Sequence, residues 1–184
     1  TLTGPSMNLL EPGARAPSLD ATTIHGLPVS VPGGRARWVH LQFRRFAGCP
    51  VCNFHLMTMA KRQPEIEAAG VHQIVFFHST PEEMMKYQAQ LPFDCVADAG
   101  MHHYRRWGVQ KSLRSLFHPR VVLNGARWVL TQRRFYRRAE NGMIGLPADF
   151  LVDGEGIVRA SKYGTHADDQ WDVDELLSLV RAPQ

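Results

Sequence analysis

The tetrapeptide Cys49-Pro50-Val51-Cys52 constrains this chain most, because of where it stands. It follows residues 38–43, a run of bulky and alternating side chains that predicts a β-strand. Pro50 suits the first position of a helix, where a backbone N–H has no intrahelical partner to lose. We therefore expect both cysteines to lie at the N-terminus of a helix that directly follows a strand.

This placement favours redox chemistry at Cys49 and Cys52. A thiol reacts as its thiolate, and the free N–H groups and dipole of a helix N-terminus favour that charge. Arg44 and Arg45, a few residues upstream, add positive potential. Two intervening residues allow the sulfurs to approach within disulfide distance. Buried inert cysteines and a zinc site remain alternatives, but zinc needs two further ligands and the histidines are scattered, so we expect no metal.

The remaining patterns predict an α/β fold. Pro64 is expected to kink or restart the cysteine-bearing helix, and Gly70 to end it. Residues 8–36 are interpreted as an extended lead-in with a turn at His25-Gly26. Further strands are predicted at 71–78, 93–97, 148–152 and 157–162, and further helices at 80–89, 99–107 and 173–180. Asp153-Gly154-Glu155-Gly156 predicts a hairpin, so the sheet should be mixed, with helices on both faces.

The chain is expected to be one domain over residues 7–184. Residues 1–6 precede Met7 and are interpreted as a remnant of the expression vector. Hydrophobic content of 44% and charged content of 21% are typical of a globular protein. No apolar run is long enough for a membrane span and no leader pattern is visible, so we expect no membrane association and a cytoplasmic location.

The positive charge is concentrated between residues 101 and 139, which contain ten Lys or Arg and no Asp or Glu. We interpret residues 100–145 as a basic helical insertion before the late hairpin. It is either a solvated face, a cover for the redox site, a docking surface for an acidic redox partner, or a subunit interface of a homodimer. Nucleic-acid binding is disfavoured, because no nucleic-acid-binding motif accompanies the charge.

Other titratable residues are weaker candidates. His55 follows Cys52 by three positions on one helical face, so it is a candidate accessory residue that shares a proton with the thiol; the alternative is a histidine lining the helix surface. Cys95, in a predicted core strand, is interpreted as structural, with a resolving or regulatory role as the alternative. His102, His103, His118 and His166 have less support as ligands or bases.

Three segments carry a resemblance to a known family. Residues 12–19 with Gly26 are similar to a G-x-x-A-P-x-F/L…G opening, and residues 43–52 to an active-site strand, loop and helix. Residues 146–153 resemble the P-T-T-F-L-I-D segment of bacterial thioredoxin-like reductases. The chain thus resembles a peroxiredoxin-like, AhpC/TSA-type member of the thioredoxin-like superfamily that carries a C-x-x-C motif. The resemblance implies a thioredoxin-like fold, with Pro147 as a cis-proline facing the cysteines.

Alignment with the peroxiredoxin motif P-x-x-x-T-x-x-C assigns roles to individual residues. It puts Cys52 at the peroxidatic position, Cys49 at the threonine and Arg45 at the proline. In that family the threonine, and an arginine before the late strand, orient peroxide and stabilise the leaving oxygen. Here Leu146-Pro147 stands at the arginine's position, and an arginine of the basic insertion, such as Arg127 or Arg134, is a candidate replacement. Arg45 is a candidate accessory residue of the site.

The resemblance implies a thiol-dependent oxidoreductase that reduces hydroperoxides through a Cys49/Cys52 dithiol–disulfide cycle. A thioredoxin- or glutathione-type thiol would supply the electrons, without a bound cofactor. In one alternative, the chain is a protein disulfide oxidoreductase in which Cys49 is the exposed nucleophile and Cys52 resolves the mixed disulfide. In the other, it is a non-catalytic binding module on a redox fold.

Overall fold

A computed structural model describes residues 9–33, 36–109 and 145–182. The vector remnant predicted at 1–6, most of the basic insertion, and His118, Arg127 and Arg134 lie outside these ranges.

A five-stranded mixed sheet forms the centre of the fold. Its order is β5-β4-β3-β6-β7, with β3 at Trp38–Phe43, β4 at Val71–Phe77, β5 at Asp94–Ala97, β6 at Ala148–Asp153 and β7 at Val158–Tyr163. Strands β3, β4 and β5 are parallel to one another, as is usual where helical segments connect the strands. Strand β6 is antiparallel to both of its neighbours, β3 and β7. The predicted thioredoxin-like mixed sheet and its late hairpin are confirmed.

The lead-in is more ordered than the sequence suggested. Strands β1, Leu19–Thr22, and β2, Pro28–Val31, form a separate antiparallel hairpin. The turn lies at the predicted place, and Gly26 adopts φ 82°, a conformation that suits glycine. The hairpin forms because Leu19, Val29 and Val31 share one face and are buried against the main core.

The break in the first helix and its end lie where proline and glycine predicted them. The described helices are α1, Pro50–Lys61; α2, Gln63–Ala68; α3, Pro81–Met85; α4, His102–Arg106; and α5, Val173–Arg181. Pro64 restarts the helix after a break at Arg62, and Gly70 follows its end with φ 77°. Helix α3 ends at Met85 rather than near residue 89, and turns continue the chain from there.

The two faces of the sheet differ in chemistry. On one face, Leu41, Phe43 and Phe150 pack with Tyr104 and Trp107 in an apolar core. On the other face, α1, α2 and α5 cover the alternate side chains of the same strands, because successive strand residues point to opposite sides. Helices therefore lie on both sides of the sheet.

A row of buried polar side chains lies on the face of the sheet that α1, α2 and α5 cover. Arg44 donates to both carboxylate oxygens of Asp149, at 2.8 and 3.1 Å, and to Oε1 of Gln42 at 2.7 Å. Gln42 donates to Gln73 at 2.8 Å, and Gln73 donates to Gln63. His40 Nε2 lies 2.8 Å from Asp149 Oδ1. We call these six hydrogen-bonded residues the polar chain: His40, Gln42, Arg44, Gln63, Gln73 and Asp149.

None of the helices within the described ranges has the length and apolar character needed to cross a bilayer.

Candidate active site

Cys49 and Cys52 lie where the sequence placed them, on the first turn of α1. Cys49 is the N-cap residue, with φ −63° and ψ 116°, and Pro50 begins the helix. The Cys49 N–H donates to the carbonyl of Phe46 at 3.0 Å, which forms a turn before the helix. Both cysteines are free thiols, and neither is exposed to solvent.

Cys49 is the thiolate of the pair. Burial alone would raise its pKa, but several contacts stabilise the charged form more strongly. These are a hydrogen bond from the Cys52 thiol, the charge of Arg45, and the backbone N–H groups of Cys52 and Val51. Together they lower the pKa of Cys49 from 9.0 to about 6, with Arg45 Nη1 at 3.6 Å from its Sγ.

Cys52 stays protonated as the partner. Burial raises the pKa of its thiol well above 9.0, and the neighbouring Cys49 thiolate raises it further. The family alignment put the attacking sulfur at Cys52, whereas these electrostatics put the thiolate on Cys49. The disulfide-exchange alternative required an exposed Cys49, whereas Cys49 is fully buried in the structure.

Arg44 does not act on the cysteines, although we expected its charge to do so. Its side chain points to the other side of the backbone from Arg45 and is fully buried against Asp149. Burial opposes ionisation of Asp149, but the charge of Arg44 and the bond with His40 hold the pKa of that carboxyl below its usual range. Among the described arginines, Arg45 is therefore the one whose charge acts on Cys49.

His55 has a different partner from the one predicted. Its Nε2 lies 2.8 Å from the carbonyl oxygen of Trp171, and within the described residues no hydrogen bond joins it to either thiol. Burial, and then the charge of Arg44, lower its pKa from 6.5 to about 3. The ring is neutral near pH 7 and ties α1 to the segment before α5.

Comparisons with known proteins decide the family. The family model described as AhpC/TSA matches residues 12–161, which include the cysteine pair and the sheet as far as the first four residues of β7. The chain belongs to the AhpC/TSA family. A search of curated protein sequences gives no match.

Solved structures show the same fold at low sequence identity. Peroxidoxin BcpB from Mycobacterium tuberculosis is 14% identical with a TM-score of 0.69, over 95% of this chain and 99% of that one. AhpC from the same organism is 14% identical with a TM-score of 0.67, over 94% and 92%. A candidate thiol:disulfide interchange protein, DsbE, from Chlorobium tepidum is 20% identical with a TM-score of 0.60, over 93% and 99%.

Pro147 is not the cis-proline that the family resemblance implied for this AhpC/TSA chain. The peptide bond before it is trans; the cis bond within the described residues joins Val31 and Pro32. Pro147 packs instead against the loop after β7, where its carbonyl accepts from the Gly164 N–H at 2.8 Å. A Cβ on Gly164 would lie 2.8 Å from Pro147 Cγ, so the two residues are in close contact. The trans form is also the usual state of an X–Pro bond.

Sequence reasoning missed three polar residues around the cysteine turn. Asn53 Nδ2 donates to the carbonyls of Ala47, at 2.6 Å, and Cys49, at 2.9 Å. Gln88 Nε2 donates to the same Ala47 carbonyl at 2.8 Å, and the Ala47 N–H donates to Ser79 Oγ at 3.0 Å. Asn53 follows Cys52 directly on a helix face that must be buried, a signal the sequence offered.

His78 is a further missed residue of the AhpC/TSA site. It is fully buried directly after β4, with its ring centroid 6.4 Å from that of Phe46. A Cβ on Gly145 would lie 3.2 Å from His78 Nε2 and 3.5 Å from Arg45 Cγ. The segment that enters β6 therefore packs against the Arg45 side of the site.

Cys95 lies in the same cluster of buried side chains as the cysteine pair. Burial, and then the charge of Asp94, raise the pKa of its thiol to about 12, and its Sγ lies 3.7 Å from the Phe93 carbonyl. These features fit a structural cysteine. Within the described ranges, no group of three or more His, Cys, Asp or Glu is arranged to hold a metal ion.

Proposed function

We propose that this chain reduces small hydroperoxides, with Cys49 as the attacking thiolate and Cys52 as the resolving thiol. The observation that carries the proposal is a cysteine sulfur beside a guanidinium in a buried site, with Arg45 Nη1 at 3.6 Å from Cys49 Sγ. Inert cysteines on a binding module would keep ordinary thiol pKa values, whereas that of Cys49 is about 6.

The cycle uses two electrons from the protein and returns them from a thiol. The Cys49 thiolate attacks one peroxide oxygen and breaks the O–O bond, which gives a Cys49 sulfenic acid and an alkoxide or hydroxide that takes up a proton. The Cys52 thiol then attacks the sulfenic sulfur, and a Cys49–Cys52 disulfide and water form. Two equivalents of an external thiol, of the thioredoxin or glutathione type, reduce that disulfide and are themselves oxidised.

Arg45 has two roles in this mechanism. Its charge favours the thiolate before the reaction, and its N–H groups stabilise negative charge on the leaving oxygen during it. Such interactions gain strength where water is excluded, and Arg45 is itself almost fully buried. Arg45 thus takes the place of the family arginine that is absent before β6.

Thiol–disulfide exchange is the second candidate. The low pKa of the first cysteine in C-x-x-C and the similarity to the DsbE candidate favour it. Burial favours the hydroperoxide as the substrate of Cys49, because a small molecule displaces less of the surrounding structure than a folded protein when it approaches Cys49 Sγ.

Stopped-flow oxidation by hydrogen peroxide tests the proposal. We expect the reduced protein and Cys52→Ser to react far faster than a free thiol of similar pKa, and Cys52→Ser to accumulate a sulfenic acid trapped by dimedone. Cys49→Ser should lose the fast phase, and the control Cys95→Ser should keep it.

Two results would contradict this assignment. A fast phase that survives in Cys49→Ser and vanishes in Cys52→Ser makes Cys52 the attacking residue. If no form reacts faster than a free thiol, while Cys49 is trapped as a mixed disulfide with a protein substrate, the chain is a disulfide exchanger.

A further inference from the structure

We propose that Asn53 and Gln88 are positioning residues, which hold the turn from Phe46 to Cys49 so that the Cys49 sulfur faces the N-terminus of α1 and Arg45. The proposal deepens the proposed function, since it concerns the same thiol. It rests on hydrogen bonds that join this turn to two distant parts of the chain.

The Ala47 peptide is fixed from both of its sides. Its carbonyl accepts from Asn53 Nδ2 at 2.6 Å and from Gln88 Nε2 at 2.8 Å. Its N–H donates to Ser79 Oγ at 3.0 Å, just after β4. Ala47 is itself fully buried, so water cannot replace these partners without a rearrangement of the turn.

The two amides also bind each other. Gln88 Nε2 donates to Asn53 Oδ1 at 2.8 Å, which orients the Asn53 amide with its N–H groups toward the turn. Gln88 is fully buried, and Asn53 is only 7% exposed. A bond between two buried side chains restricts both rotamers, so the removal of either one should loosen the other.

Asn53 connects this anchor to the attacking residue. Besides Ala47, its Nδ2 donates to the Cys49 carbonyl at 2.9 Å, and its backbone N–H donates to the same oxygen at 3.0 Å. The Cys49 peptide is therefore held from the helix side, while its N–H is held by the Phe46 carbonyl. This geometry keeps the sulfur close to the N–H groups of Val51 and Cys52, which stabilise the thiolate.

The test measures the thiol pKa of Cys49 in the reduced full chain, by thiolate absorbance at 240 nm between pH 4.5 and 8.5. Cys52 and Cys95 stay protonated over this range, since the pKa of Cys52 is well above 9.0 and that of Cys95 is about 12. The variants are Asn53→Leu and Gln88→Met, which keep side-chain volume and remove the donors. Gln63→Met removes a similarly buried amide of the polar chain and serves as the control.

We expect both variants to raise the Cys49 pKa, Asn53→Leu by about one unit, which lowers the thiolate population at pH 6 about fivefold. Gln88→Met should shift it less, since the Asn53 bond to Cys49 remains. The double variant should shift the pKa by less than the sum of the single changes, because the two amides share one carbonyl. Gln63→Met should leave the pKa unchanged.

An unchanged Cys49 pKa in folded Gln88→Met and Asn53→Leu would overturn the proposal, as would an equal rise in Gln63→Met. If Asn53→Leu does not fold, Gln88→Met alone decides, because it keeps the Asn53 contacts with α1. The titration uses no substrate, so its outcome is independent of whether hydroperoxide is reduced.

Discussion

At the scale of residues, two adjacent arginines with opposite environments set the chemistry of the site. Arg45 contacts the Cys49 sulfur, while Arg44 is neutralised by Asp149 in the polar chain. The division arises because side chains alternate as the chain leaves β3. A difference of one position in the sequence therefore decides which of the two guanidinium groups lies beside the Cys49 sulfur.

Replacement of Arg45 by Met should raise the Cys49 pKa and slow peroxide oxidation by about a hundredfold at pH 7, the effect of losing one charged donor to a developing oxyanion. Stopped-flow rates from pH 5 to 9 measure both effects. Arg105→Met, which removes an exposed arginine on α4, is the control. A wild-type rate in Arg45→Met would rule out its part in the reaction.

At the scale of elements, α1 carries Cys52 and begins at Cys49, and α5 helps to hold α1 in place. The segment before α5 provides the Trp171 carbonyl that binds His55, and Arg62 at the end of α1 pairs with Asp174 at 2.8 Å. Helix α5 begins with a capping box, in which Asp172 accepts from the Glu175 N–H at 2.8 Å and Glu175 accepts from the Asp172 N–H at 2.9 Å. The start of α5 is thus fixed beside α1.

Asp172→Ala should lower the free energy of unfolding by about 1 kcal/mol, the usual cost of losing an N-cap side chain. Urea unfolding followed by circular dichroism measures the change. Ser178→Ala, an exposed position in the same helix, should cost much less. Equal losses in the two variants would mean that the cap contributes nothing beyond helix propensity.

The helix and strand starts were predictable because local chemistry marks them. Pro50, Pro64 and Gly70 each act on their own backbone, so their effects hold in any fold. The hydrogen bonds of Asn53 and Gln88 were not predictable, because they join positions 35 residues apart. Nor was the partner of His55 predictable, since Trp171 lies 116 residues away in the sequence.

At the scale of the whole molecule, the buried charges beneath α1 make stability depend on pH. The pKa of Asp149 is depressed in the folded state, so its contribution is present above its unfolded pKa, about 4, and is lost on acidification through that range. The folded pKa of His55 is about 3, so its contribution is complete above its unfolded value of 6.5 and falls as the pH drops toward 3.

We therefore expect the free energy of unfolding to decrease from pH 7 to pH 5 and more steeply below pH 4, as measured by urea titrations at each pH. His55→Gln keeps an N–H donor for the Trp171 carbonyl without a titrating ring, so it should flatten the decrease between pH 7 and 5. His25→Gln, on the exposed β1–β2 turn, is the comparison. An identical slope in wild type and His55→Gln would exclude His55 as the source.

The two faces of the sheet should also differ in how their sequences can vary. On the apolar face, single substitutions by hydrophobic side chains of similar volume should be tolerated, because these side chains have no hydrogen-bond partners that must be replaced. In the polar chain, replacing Gln42 alone would leave Arg44 and Gln73 each short of a partner. Natural variants of this protein should therefore keep these residues together or change several of them at once, so that the positions under α1 covary while those opposite drift independently.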